Sequence, residues 1–145
     1  FITSLRHSFI MKILAIDYGT KRTGFAISDV NKIFAFGLST QETKNNITYI
    51  QSLLAKEKID TIVIGLPKKL NNEFAEIVPK IQGFKQTLNQ TFPTIKIIDV
   101  DERFTSKMAF QSMLDSGMKK KQRQNKALID EISATIILQN YLECL

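Results

Sequence analysis

The sequence contains very little of what thiol, disulfide and histidine chemistry require. Its 145 residues include one cysteine, one histidine and no tryptophan. A single cysteine, Cys144, cannot close a disulfide within the chain or build a zinc site, and the histidine, His7, lies near the N-terminus. We therefore expect neither histidine-based catalysis nor a cysteine–histidine metal cluster, and we expect a protein of the reducing cytoplasm.

Long hydrophobic runs are also missing. No apolar stretch approaches the roughly 18 residues of a membrane-spanning helix, so we expect no membrane partner. The first ten residues, FITSLRHSFI, lack the small-residue cleavage site of a signal peptide. Met11 is a more natural start, so we interpret residues 1–10 as a tail outside the fold and residues 11–145 as a single domain.

Charge of one sign is in excess. Twenty lysines and arginines stand against 14 aspartates and glutamates, which gives a net charge of +6 and a pI of about 9.5. This balance favours a polyanionic partner such as nucleic acid. The densest basic stretch is GMKKKQRQNK at residues 117–126. Runs of this kind are usually solvated surface, so the stretch is weak evidence by itself.

The hydrophobic pattern predicts five strands and four helices. The strands are expected at residues 12–18, 23–28, 33–39, 60–66 and 94–100, and the helices at 43–58, 72–89, 105–116 and 127–143. Short connections predict an antiparallel meander for the first three strands. Helices between the later strands predict parallel pairing through crossovers. We therefore expect an α/β fold with a five-stranded mixed sheet flanked by helices.

The most informative stretch is MKILAIDYGTKRTGFAISD at residues 11–29. Its first strand is apolar on both faces, which is typical of a central strand, yet it ends at the carboxylate of Asp17. A carboxylate there needs hydrogen-bond donors, a cation or a metal. Capping of the strand end by turn amides would explain Asp17 equally well.

Two further acids have comparable positions. Glu102 follows the fifth strand, and ligands in such sheets gather at the carboxyl ends of strands. Asp130 shares a helix face with Ala127, Ala134 and Ile137, a small and apolar face that should pack on the sheet. A charge there is costly unless it is paired. Asp130 could also serve the helix dipole or pair with Lys126.

The predicted fold could bring Asp17, Glu102 and Asp130 together. Carboxylates that lie so close together repel one another, and a bound cation usually offsets this repulsion. Oxygen ligands without histidine or cysteine favour Mg²⁺ or Mn²⁺. Two such ions about 4 Å apart can activate water and stabilise the leaving oxygen in phosphodiester hydrolysis. Basic residues near the acids would then bind substrate phosphates: Lys21, Arg22, Arg103, Lys119, Lys120, Lys121 and Arg123.

Four motifs in order resemble one known family. They are AIDYGTKRTGFAISD, VIGLP, VDERFTS and KALIDEISATIILQNYL, and they span residues 15–142. The chain resembles the YqgF family, also called RuvX, within the ribonuclease H-like superfamily. The resemblance implies a ribonuclease H-like fold and a divalent-metal triad at Asp17, Glu102 and Asp130. The neighbouring Asp101 could replace Glu102, but side chains alternate across a strand end, and we favour Glu102.

The resemblance implies a nuclease with one of two substrates. The first is the 5′ end of the small-subunit ribosomal RNA precursor, which would make ribosomal particles a partner. The second is branched DNA of the Holliday-junction type. A resolvase usually acts as a homodimer, whereas an RNA processor can act as a monomer. Two other hypotheses remain: a nucleic-acid-binding module without catalysis, and a phosphotransferase suggested by the Asp-Tyr-Gly-Thr hairpin.

Overall fold

The five predicted strands form one mixed sheet. The computed structural model describes residues 11–66, 72–101, 115, 117, 119 and 125–145. The strands are β1 (Lys12–Asp17), β2 (Arg22–Ser28), β3 (Ala35–Glu42), β4 (Ile59–Leu66) and β5 (Lys96–Asp101), in the spatial order β3-β2-β1-β4-β5. The β1–β2 and β2–β3 pairs are antiparallel, and the β1–β4 and β4–β5 pairs are parallel. The predicted meander followed by parallel strands is thus confirmed.

Helices cover both faces of this sheet. A 3₁₀ turn (Thr43–Asn45) leads into α1 (Asn46–Lys56), and α2 (Asn72–Thr91) and α3 (Lys126–Glu143) follow. Pro79 lies inside α2. The helix predicted at residues 105–116 lies outside the described residues, apart from the helical residue 115. In the described part of the chain, no helix combines the length and the apolar character needed to cross a bilayer.

The prediction for β3 was wrong at both ends. We expected residues 33–39, but the strand runs from Ala35 to Glu42. The Asp29 carboxylate explains the late start, because it accepts hydrogen bonds from the backbone N–H groups of Ile33 (2.8 Å) and Phe34 (2.9 Å). Those two residues therefore belong to the turn, and their apolar side chains are exposed.

The central strand β1 is buried on both sides. Leu14 and Ile16 join the core beneath α1 and α2, and Ile13 and Ala15 join the core beneath α3. All four side chains are at most 3% exposed. Burial of this kind stabilises the fold by roughly 1.5–3 kcal/mol for each large aliphatic side chain. The buried strand β1 is therefore a rigid support for the residues at its carboxyl end.

The helix α3 lies close to β2 and β3 because one position on each strand lacks a side chain. A Cβ atom at Gly24 would lie 2.1 Å from the backbone oxygen of Asp130. A Cβ atom at Gly37 would lie 2.6 Å from a carboxylate oxygen of Glu131. The facing residues Ala26 and Ala134 are small and fully buried. The second turn of α3 can therefore rest on the backbone of β2 at Gly24, at the end of the sheet where β1 terminates.

We expect Gly24→Ala to lower the free energy of unfolding by about 1–3 kcal/mol, because α3 must move away from the new methyl group. The control is Gly83→Ala in α2, where an added Cβ would meet nothing within 4 Å. That variant should gain about 0.5–1 kcal/mol from helix propensity. Urea denaturation followed by circular dichroism measures both. Equal stability of Gly24→Ala and the wild type would contradict the close packing.

Candidate active site

Asp17 ends β1 on the face that α3 covers. Ile13 and Ala15 point to that face, and Asp17 continues their alternation. Tyr18 points the opposite way, where its ring packs on Phe84 of α2 with 5.1 Å between the ring centroids. The antiparallel partner of Asp17 on β2 is Gly24.

Asp130 reaches the same place from α3. The helix begins after Asn125, whose side chain accepts a hydrogen bond from the Leu128 N–H at 3.3 Å. Asp130 then lies in the second turn, with its backbone against Gly24. Gly24 is thus the strand partner of Asp17 and the packing partner of Asp130. The fold therefore brings these two predicted acids, 113 positions apart, to one end of the sheet.

An arginine from β2 pairs with the second acid. The Nε of Arg22 donates to Oδ2 of Asp130 at 3.1 Å. The Asp130 side chain is only 26% exposed, and this burial raises its pKa. The hydrogen bond and charge of Arg22, and the charge of Lys126, lower the same pKa but do not outweigh the burial. Asp130 is therefore a carboxylate whose negative charge is only partly compensated by its neighbours.

The pair with Arg22 is one that the sequence did not predict. The sequence pattern assigns Arg22 to substrate phosphates, and it assigns Asp130 to a metal, to the helix dipole or to a pair with Lys126. The two partners lie 108 positions apart, and their contact arises because α3 packs on β2. No local spacing signals such a contact.

A chain of hydroxyl and amide groups fixes the turn after Asp17. The Thr43 hydroxyl donates to the Gly19 carbonyl at 2.6 Å, and the Thr43 N–H donates to the Lys21 carbonyl at 2.9 Å. Because the hydrogen of the Thr43 hydroxyl is donated to Gly19, this hydroxyl accepts a hydrogen bond from the Thr23 hydroxyl at 2.9 Å. Asn46 then donates to Thr23 at 2.9 Å.

This network ties the β1–β2 turn to the start of α1. A Cβ atom at Gly19 would lie 2.3 Å from the Arg22 carbonyl oxygen, so the turn closes this tightly only with glycine. Thr43 and Asn46 were missed from the sequence, where polar residues at that point indicated only the start of a helix. They hold Lys21 and Arg22 in position next to Asp17.

Several predicted site residues lie outside the described residues: Glu102, Arg103, Lys120, Lys121 and Arg123. Lys119 is described and exposed. Within the described residues alone, no three acidic, histidine or cysteine side chains form a group that could hold a metal ion. The structure thus brings Asp17, Asp130 and Arg22 to one end of the sheet, and Lys21 lies in the turn that follows Asp17.

The chain is similar in sequence to known proteins. A family model described as "RuvX: Holliday junction resolvase" matches residues 11–144. A Flavobacterium johnsoniae protein named "Putative pre-16S rRNA nuclease" is 56% identical over 131 residues, covering 90% of this chain and 95% of the relative. A protein of the same name from Bacteroides thetaiotaomicron is 53% identical over 132 residues, covering 91% of this chain and 96% of the relative.

A solved structure shares the fold. The structure "T. thermophilus RuvC in complex with Holliday junction substrate" is 14% identical with a TM-score of 0.54, covering 92% of this chain and 94% of that chain. At this identity the likeness shows the fold alone. It confirms the predicted ribonuclease H-like class.

We expect Asp130→Asn to raise the melting temperature at pH 7 in metal-free buffer. Burial raises the pKa of Asp130 above 3.8, so the charged form costs stability above the folded-state pKa. That cost shrinks as the pH falls through the folded-state pKa and is absent only well below pH 3.8, where the carboxyl is neutral in both states. Thermal unfolding between pH 7 and pH 4 should therefore show a difference that shrinks with falling pH.

Arg22→Gln should change the melting temperature in the opposite direction. Loss of the guanidinium removes what lowers the pKa of Asp130, so this variant should be less stable than the wild type at pH 7. A melting temperature of Asp130→Asn below the wild type at pH 7 would contradict this electrostatic description.

Proposed function

Because this chain belongs to the RuvX family, we propose that it is a metal-dependent nuclease that hydrolyses phosphodiester bonds at the 5′ end of precursor 16S ribosomal RNA. The observation that carries the proposal is the meeting of Asp17 and Asp130 at Gly24 on the carboxyl edge of the sheet. The names of the relatives at 56% and 53% identity support the RNA substrate. We place the nuclease domain at residues 11–145 and its activity in the cytoplasm, with ribosomal particles as a partner.

We propose Glu102 as the third carboxylate. In β5, Asp99 points towards α2, where Lys85 donates to it at 2.8 Å. Ile98 and Val100 instead pack with the core beneath α3. Counted in steps of two along the sequence, Glu102 has the parity of Ile98 and Val100, whereas Asp101 has the parity of Asp99. This sequence parity supports Glu102 over Asp101.

The donor set fits Mg²⁺ or Mn²⁺. Carboxylate oxygens without histidine or cysteine are what these cations prefer. Burial raises the pKa of Asp130 despite the charges of Arg22 and Lys126, so a further cation beside it would stabilise the ionised form. Asp17, Glu102 and Asp130 would hold the metal. Two ions, when bound, supply the charge that activates water and stabilises the leaving oxygen of the phosphodiester.

The basic residues bind and orient the polyanion. Lys21 is exposed in the turn that follows Asp17, and Arg22 lies beside it. Their charges favour the approach of a phosphate backbone without reading its sequence. We assign the same role to the other predicted cations: Arg103, Lys119, Lys120, Lys121 and Arg123.

One observation favours a second substrate. The matching family model carries the description of a Holliday junction resolvase. A four-way DNA junction is therefore the alternative substrate for the same carboxylates. Cutting both strands of a junction symmetrically would require a homodimer, whereas RNA processing could be carried out by a monomer.

The test is Asp17→Asn in a cleavage assay with Mn²⁺ or Mg²⁺, on a 16S precursor fragment and on a four-way DNA junction. We expect the variant to lose about 10²–10³ in rate, which is typical when charge stabilisation in the transition state is removed. The control is Asp60→Asn, the same change near the start of β4, at the opposite edge of the sheet. It should cut at the wild-type rate.

Circular dichroism verifies that both variants keep the fold. Cutting of the RNA but not the junction supports the processing nuclease, and the reverse supports the resolvase. Full activity of Asp17→Asn would contradict the assignment of the site.

A further inference from the structure

A basic cleft lies beside Arg22, the residue that pairs with Asp130. It is lined by Thr20, Lys21, Arg22, Glu42 and Lys44 and has a volume of about 540 Å³. Ligand sites commonly measure about 300–1,000 Å³, so this space is large enough for a phosphate and its flanking sugars. Three of the five lining side chains are cationic, and one is a hydroxyl. No local sequence pattern singles out Lys44, Glu42 or Thr20.

The walls of the cleft are held together by backbone contacts. Arg22 on β2 is the strand partner of Glu42 on β3. The next residue, Thr43, bonds the carbonyl groups of both Gly19 and Lys21. The turn that carries Lys21 and the 3₁₀ turn that carries Lys44 therefore form one unit. Their cations are presented on a fixed backbone next to each other.

Arg22 connects the cleft to the acids. It lines the cleft, and its Nε donates to Asp130. A chain of phosphates that reaches the acid pair can therefore continue into the cleft past Arg22. An anionic polymer fits this arrangement because successive phosphates need successive cations along their path.

Lys44 can exchange its present partner for a phosphate. Its Nζ lies 3.1 Å from a carboxylate oxygen of Glu42, and the two side chains are 76% and 65% exposed. An ion pair this exposed contributes little to stability and breaks easily. Glu42 also lowers the positive potential of the cleft. Lys44 is thus a cation available to a ligand, and Glu42 competes with that ligand.

We propose that this cleft is a phosphate subsite for the nucleic-acid strand flanking the scissile bond, with Lys44 as its principal cation and Glu42 as its internal competitor. The proposal rests on the proposed nuclease function and extends it beyond the residues assigned above. The ligand is a phosphodiester backbone, bound without base specificity.

The test measures the affinity of a fluorescent 16S precursor fragment at several salt concentrations, with EDTA present so that no cleavage occurs. Loss of one phosphate contact on a single strand removes about 0.7 from the slope of log K against log salt, which is about fivefold in affinity at 0.1 M salt. We expect Lys44→Ala to show this loss. Glu42→Gln should bind more tightly than the wild type, because the competing charge is gone.

The matched control is Lys56→Ala, at an exposed lysine in the last turn of α1. It should bind RNA as the wild type does. If the wild type binds and Lys44→Ala binds as well as Lys56→Ala, the cleft proposal is wrong while the nuclease proposal stands. If the wild type neither binds nor cuts the RNA, both proposals are wrong.

Discussion

The site depends on the missing side chain at Gly24. Because no Cβ stands there, the backbone of α3 can rest directly on β2, with Asp130 against the residue that pairs with Asp17. Any larger residue would push α3 away from the sheet, since a Cβ would lie 2.1 Å from the Asp130 oxygen. One packing constraint between a strand and a helix thereby determines the distance between two charged groups.

This packing places the carboxylate of Asp130 in a position that lowers the stability of the folded protein. The burial that raises the pKa of Asp130 makes its ionised form costly, and Arg22 and Lys126 offset only part of that cost. Buried, partly compensated carboxylates are typical of functional sites. The same region contains the turn held by Thr43, so the cations after Asp17 are positioned by hydrogen bonds. A metal-binding phosphodiesterase site needs carboxylates that remain open to a cation and groups that are held in fixed positions. The partly compensated carboxylate of Asp130 and the hydrogen-bonded turn after Asp17 fit these two needs.

The sequence predicted the mixed sheet, with an antiparallel meander followed by parallel strands, and singled out Asp17 and Asp130, because those features have local signals. The run of residues in β1 that is apolar on both faces indicated a central strand. Short connections between the first three strands indicated antiparallel pairing, and helices between the later strands indicated parallel pairing. The Arg22–Asp130 pair, the Thr43 network and the cleft with Lys44 depend on contacts between elements far apart in the chain, which local patterns do not encode. The boundary of β3 was missed because Asp29 draws two apolar residues into a turn.

The central claim is that Asp17 and Asp130 belong to one metal site. Calorimetric titration with Mn²⁺ tests it without any substrate. The account predicts that Asp17→Asn and Asp130→Asn each weaken Mn²⁺ binding by more than about tenfold, whereas Asp60→Asn binds as the wild type does. Unchanged Mn²⁺ affinity in both site variants would contradict it.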